Sequence, residues 1–214
     1  MPKHLKKLFL VSCLYLEKLP DDVGQLESLE ELHLSYTDVK HLPGSICTLK
    51  HLKKLVLQRC VLLEKLPDDV GQLESLEVLA LLRCYSIRDI PSSICKLKKL
   101  KILDLYHCFC LEKLPEDVGQ LESLEGLYLS RCYNIREIPN SIFMLKHLKW
   151  LDLEGCRRLE KLPDELGEIE SLQILVIWNT GISHLPRSIS LLNGLKIYGF
   201  TLHTNSAAPF LVNH

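Results

Sequence analysis

Apolar residues recur along this chain in one fixed frame. Leu-Pro or Ile-Pro places a proline at Pro20, Pro43, Pro67, Pro91, Pro115, Pro139, Pro163 and Pro186, in steps of 23 or 24 residues. Counted from each proline, apolar residues return at +3, +6, +9, +12 and +14, as in Ile46, Leu49, Leu52, Leu55 and Leu57. A partial copy through Leu5, Leu8, Leu10, Cys13, Leu16 and Leu19 precedes them. Position +17 is Cys, or Thr in the two 23-residue copies (Thr37 and Thr180). Self-similarity at a period of 20–50 residues signals a repeat architecture.

The spacing predicts local structure. L-x-x-L-x-L makes a short strand whose alternate residues point inward. Strands are expected near 8–10, 32–34, 55–57, 79–81, 103–105, 127–129, 151–153, 175–177 and 198–200. Apolar residues every third position, at +3, +6 and +9, fit a 3₁₀ or irregular return path. The small residue at +17 can hydrogen-bond backbone within the turn. No copy can bury its leucines alone, so the copies must stack. The fold class expected is an α/β repeat solenoid, an open right-handed arc with a parallel concave sheet and an irregular 3₁₀ convex side. It should fill residues 1–203, with Tyr198 and Phe200 inward in the last copy. A tail over 204–214 leaves the repeat and is expected to fold back over that end. The first coil, lacking a polar cap ahead of Leu5, is expected to be the weaker edge.

Two kinds of copy alternate, making a unit of about 48 residues. One reads L-E-K-L-P-D-D-V-G-Q-L-E-S-L-E at 63–77, the other I-P-S-S-I-C-K-L-K-K-L-K at 90–101. Their alternation sets up a charge ladder. Position +7 runs Glu27, Lys50, Glu74, Lys98, Glu122, Lys146, Glu170; position +10 runs Glu30, Lys53, Glu77, Lys101, Glu125, Lys149, Gln173. Each Glu is expected between two Lys, holding the register of stacked coils more than adding stability.

Charge and composition narrow the class. With 26 Lys+Arg against 27 Asp+Glu, the net charge of -1 lacks the excess that nucleic acid or an anionic membrane would select. No run of 18 apolar residues occurs, so no membrane span is expected. The nine cysteines are an odd number, and six of them, Cys13 to Cys156, share position +17, which suits reduced buried thiols better than disulfides. With no N-x-[ST] sequon, this favours a cytoplasmic location, or one shared with the nucleus. The basic and apolar start imitates a signal peptide, but its residues match the repeat. Cys108 and Cys110 form a lone C-x-C, too little for a metal site.

No phosphate-binding, dinucleotide, zinc-protease or nucleophile-elbow motif occurs, so neither catalysis nor a cofactor or metal is expected. What a solenoid offers is a surface. Positions +11, +13, +15 and +16 project from the concave sheet and vary while the frame stays fixed. Both tryptophans lie there. Trp, Tyr and Arg are the usual anchors of protein interfaces. The candidate binding residues are Tyr36, Arg59, Arg83, Asp104, Tyr106, His107, Tyr128, Arg131, Trp150, Asp152 and Trp178, and the expected partner is a protein. Large residues covering their neighbouring coils would produce part of the same pattern.

The run from Leu148 through Cys156 to Pro163, L-x-x-L-x-L-x-x-C-x-x-L-x-x-L-P, resembles the cytoplasmic plant type of leucine-rich repeat. In its alternation with T-x-x-x-x-L-P it is similar to the repeat region of plant intracellular nucleotide-binding leucine-rich-repeat disease-resistance proteins. That resemblance implies effector sensing and autoinhibition of an ATP/ADP switch domain. The implied partner is a pathogen effector, a guarded host protein or the receptor's own nucleotide-binding domain. This chain carries no P-loop of its own. Two other readings stay open: a stand-alone plant Ras-group scaffold, or a consensus-like array without a natural ligand.

Overall fold

The computed structural model describes residues 4–199. Nine three-residue strands occur among them: β1 (Lys7–Phe9), β2 (Glu31–His33), β3 (Lys54–Val56), β4 (Val78–Ala80), β5 (Ile102–Asp104), β6 (Gly126–Tyr128), β7 (Trp150–Asp152), β8 (Ile174–Val176) and β9 (Lys196–Tyr198). They pair in chain order, all parallel, in one open sheet. The chain is the leucine-rich-repeat solenoid that the proline register predicts.

Each strand starts one residue earlier than the leucine pattern suggests. The +11 residue already belongs to the ladder, as when the Ile102 N–H donates to Glu77 O at 3.1 Å. The larger difference is at β9. Ile197 pairs with Leu175 and takes the inward place, while Tyr198 pairs with Val176 and is 42% exposed. Tyr198 is therefore not a core residue: the last copy is one residue short between Leu195 and its strand. Phe200 and the tail lie outside the described residues.

The central leucines stack in register. Leu32, Leu55, Leu79, Leu103, Leu127, Leu151 and Leu175 are all fully or almost fully buried, as are Leu57, Leu81, Leu105, Leu129 and Leu153 two residues on. Burying one leucine contributes about 1.5–3 kcal/mol, but only with a coil on either side to cover it. The return path consists of 3₁₀ turns, whose +3 residues from Val23 to Ile189 are buried. In Gly44–Thr48, Ser92–Lys96, Asn140–Met144, Asp164–Glu168 and Arg187–Leu191 the repeat proline is the N-cap, its fixed φ setting the entry.

The repeat thiols link coils rather than closing their own. Cys60, Cys84, Cys108, Cys132 and Cys156 donate to Leu34, Leu57, Leu81, Leu105 and Leu129 O, each one coil back, at 3.0–3.2 Å. Thr37 and Thr180 instead bond within their own coil, to Leu34 O and Ile177 O. Cys13 departs from the expectation of a buried +17 residue. It is exposed, because no described coil precedes it to supply a carbonyl or cover its sulfur. Leu5, Leu8, Leu10 and Leu16 of that first coil are only partly buried, and Tyr15 is 96% exposed.

The charge ladder forms pairs rather than a continuous row. At +10 the lysine reaches back one coil: Lys53 to Glu30 at 2.7 Å, Lys101 to Glu77 at 2.8 Å, Lys149 to Glu125 at 2.7 Å. At +7 it reaches forward, Lys50 to Glu74 at 3.1 Å and Lys98 to Glu122 at 2.9 Å. Only Glu30 of the ladder takes two lysines, through Lys6 at 2.9 Å. Lys146 turns to its own coil, donating to Phe143 O at 3.4 Å.

Candidate protein-binding face

Beyond each strand the chain passes through position +16, and there the backbone turns left-handed in the first eight coils. Ser12, Tyr36, Arg59, Arg83, His107, Arg131 and Asn179 have φ between 56° and 62°, and Gly155 has 72°. The cause is the ladder itself. From Ser12 to Gly155 the turn aims the +16 N–H at the +15 carbonyl of the next coil, as from Arg59 to Leu82 O and from His107 to Ser130 O, both at 2.7 Å. Glycine or asparagine suits that conformation, whereas other residues lose roughly 1–2 kcal/mol there. Coils three to six nonetheless present Arg59, Arg83, His107 and Arg131.

These side chains form one cluster. The Arg83 and Arg131 guanidiniums, from coils on either side, lie 5.9 and 5.8 Å from the centre of the Tyr106 ring. His107 meets Tyr106 edge-on at 5.7 Å. Arg59 sits over Tyr36 at 5.3 Å, one step along the same row. Burial, then the charges of Arg131 and Arg83, push the His107 imidazole below its ordinary pKa. The His107 Nδ1 and Arg83 Nε atoms are buried without a hydrogen-bond partner.

Three further rings complete the cluster, and the sequence reading passed over them. Tyr85 stacks on Phe109 at 4.7 Å, and His107 meets Tyr85, Phe109 and Tyr133 edge-on at 5.5–6.0 Å. Arg157 lies over Tyr133 at 5.3 Å. The signal was present: an aromatic follows the repeat cysteine in three successive coils, at Cys84-Tyr85, Cys108-Phe109 and Cys132-Tyr133.

The remaining candidates form a second group on the strands. Asp104, Tyr128 and Asp152 are consecutive partners in register. Burial raises the Asp104 carboxyl, the Tyr106 N–H (2.9 Å) opposes it, and the Asp152 charge raises it further. Asp152 accepts from the Glu154 N–H at 3.0 Å. Burial and both aspartates raise the Tyr128 phenol. Its ring, 6.2 Å from Trp150, fills the notch left by Gly126, where a Cβ would stand 2.8 Å from Tyr128 Cε2. Trp150 and Trp178 are 39% and 42% exposed, and Trp178 stands apart from the other candidate rings. Among the described residues, no group of three or more His, Cys, Asp or Glu could hold a metal ion, and no helix is long and apolar enough to cross a membrane.

Known proteins resemble this chain in its repeat. A model of a leucine-rich repeat region matches residues 3–107, and a leucine-rich repeat model matches residues 147–169. No curated protein matches the sequence. The leucine-rich repeat domain of the type III effector XopL is 29% identical, with 92% of this chain and 69% of that one covered and a TM-score of 0.82. The PEPR1–AtPEP1 crystal structure is 25% identical over 84% of this chain and 29% of that one, with a TM-score of 0.57. Internalin C2 from Listeria monocytogenes, 17% identical with a TM-score of 0.69 and 91% and 80% covered, shares the fold alone. With the proline register and the nine parallel strands, these matches identify the chain as a leucine-rich repeat region.

Proposed function

We propose that this array is a protein-binding module that engages its partner through the concave face and the +16 row, without catalysis of its own. One observation carries the reading. Five of the six ladder lysines are paired with glutamates, whereas no arginine among the described residues has a carboxylate within ion-pair distance. Most lysines held for the stack are paired; the arginines Arg59, Arg83 and Arg131 of the candidate face lie over aromatic rings instead. Clustered Arg, Tyr and Trp are what binding hot spots use. Titration of a protein partner tests this. Trp150→Ala or Tyr128→Ala should weaken binding by about 2 kcal/mol, while Lys98→Ala changes it little. Equal losses from both kinds of variant would refute the assignment.

The finer reading is a sensing and autoinhibitory part of a plant intracellular immune receptor, working in the cytoplasm. It is supported by the C-x-x-L-x-x-L-P repeats and by thiols that act as buried hydrogen-bond donors. The partner would be an effector, a guarded host protein or the receptor's own nucleotide-binding domain. Sequencing the transcript upstream of the Met1 codon decides it: a P-loop domain in frame supports the receptor, and a stop codon there favours a stand-alone scaffold.

A further inference from the structure

The arginine row has a geometry that selects among protein partners. Arg83 and Arg131 stand two coils apart, about 10 Å at a strand spacing of about 4.8 Å. Tyr106 lies between them and meets both guanidiniums, at 5.9 and 5.8 Å, and no carboxylate of the described residues stands within ion-pair distance of either. The nearby carboxylate of Asp104 is turned to its own coil, accepting from the Tyr106 N–H. Arg83 Nε and His107 Nδ1 are buried without a hydrogen-bond partner, so what the row offers a ligand is the outer part of its guanidiniums. Beside it, Tyr85 and Phe109 stack into an aromatic strip running in the same direction.

We propose that this row receives an acidic, proline-rich segment of a partner protein, lying along the stack in polyproline II conformation with two carboxylates three residues apart. That helix repeats every three residues and rises about 3.1 Å per residue, so residues i and i+3 share a face about 9 Å apart. The interval matches the two arginines, and each planar guanidinium can take a carboxylate in two parallel hydrogen bonds. An aromatic strip is the kind of floor on which proline rings pack. The left-handed backbone fits the same account. Arginine occupies at a conformational cost two positions whose equivalent in the seventh coil is Gly155. The proposal rests on the protein-binding reading above and names the chemistry of the partner.

The probe is the peptide Gly-Pro-Glu-Pro-Pro-Glu-Pro-Gly, acetylated and amidated so that only side chains carry charge, beside its twin with Gln for both Glu. Titrated into the full chain, the glutamate peptide should bind at least tenfold tighter, and added salt should erase the difference. Arg83→Gln and Arg131→Gln should each reduce that binding about tenfold, and Lys98→Gln should leave it unchanged. Arg131→Gly, which keeps the left-handed turn, repeats the loss in a protein whose fold is unperturbed. Equal binding of the two peptides, an equal loss from Lys98→Gln, or tighter capture of phosphatidylserine vesicles than of the peptide would overturn the proposal. If the peptide is refused while Trp150→Ala still weakens a protein partner, the acidic-segment inference falls and the protein-binding reading stands.

Discussion

Gly119 donates its backbone N–H to the hydroxyl of Ser141 on the next coil, 3.1 Å away, and that hydroxyl donates to Glu116 O at 2.5 Å. The same bond joins Gly71 to Ser93 at 3.3 Å and Gly167 to Ser188 at 3.0 Å. The two kinds of repeat are thus complementary surfaces: the glycine of one receives the serine of the other. A Cβ on Gly119 would stand 2.0 Å from Ser141 O, a backbone atom that cannot swing aside. Gly119→Ala should therefore destabilise the array by about 1–3 kcal/mol, the range for overpacking. Gly44→Ala, where nothing lies within 4 Å, should be neutral or slightly stabilising. Urea unfolding of both variants checks the contrast.

The bond from Cys132 Sγ to Leu105 O, 3.1 Å long, occupies a carbonyl that faces no water. Removing the thiol leaves that carbonyl with the Cys108 N–H alone, at 3.0 Å, and opens a small void. Cys132→Ala should cost about 0.5–1.5 kcal/mol for the lost bond, with the void adding to it, whereas Cys110→Ala, at a half-buried turn position, should cost little. Equal unfolding midpoints for the two variants would show that the thiol ladder is packing without bonding.

The solenoid was legible because its frame is set by residues that have no alternative. A leucine such as Leu103 can be buried only between Leu79 and Leu127, so its spacing is its structure. The binding face was half legible. Tyr106 and Arg131 follow from strand alternation, but their meeting does not. It depends on a left-handed turn at +16 that arginine, tyrosine and histidine do not signal, and that only Gly155 and Asn179 betray. Tyr85, Phe109 and Tyr133 were missed for a related reason. The residue after the repeat cysteine reads as a turn, yet the coil returns it beside the +16 row. The β9 register slipped because the missing residue lies between landmarks, where only hydrogen bonding decides which side chain turns inward.

Relief of backbone strain should offset lost contacts in the +16 row. Arg131→Gly removes a side chain that stacks on Tyr106 at 5.8 Å, but also the strain of holding that side chain at a left-handed φ of 61°. The strain is worth roughly 1–2 kcal/mol, and glycine's extra freedom in the unfolded chain about 0.4–1 kcal/mol the other way. Thermal unfolding of this variant should lie close to that of the parent. Arg131→Val, which keeps the strain without the stack, should unfold at a lower temperature.

Burial raises the thiols of Cys47 and Cys95 to about 11 and those of Cys108 and Cys156 to about 12. An unfolded cysteine ionises near pH ~8.5. Above that pH the folded state holds protons that the unfolded state has lost, so stability falls as pH rises. Under reducing conditions the array should become progressively easier to unfold from about pH 8.5 towards 11. At neutral pH, Ellman's reagent should modify Cys13 and Cys110 quickly and the seven buried thiols only on unfolding. Rapid reaction of more than two thiols in the native protein would contradict the buried ladder.

Acid should act through the other end of the frame, and here the sign reverses. Hydrogen bonds from Lys53 and Lys6, followed by their charges, hold the Glu30 carboxyl down at about 2. Glu77 and Glu125 are lowered by Lys101 and Lys149 in the same way. A depressed carboxylate stabilises the fold above its unfolded pKa, and the contribution fades as pH falls through the folded one. Stability should therefore decline from about pH 4.5 towards pH 2, and Glu30→Gln should flatten that decline. Because these groups are exposed, salt should shrink the effect, and at neutral pH Glu30→Gln alone should shift the unfolding midpoint little. Reversing a ladder charge is different. Lys98→Glu would set a third carboxylate in line between Glu74 and Glu122 and remove the pair to Glu122, now 2.9 Å long. That variant should unfold more readily than Lys98→Gln at low salt and approach it at high salt. A salt-independent gap between the two would mean that the ladder acts by shape, and its role in holding register would fall.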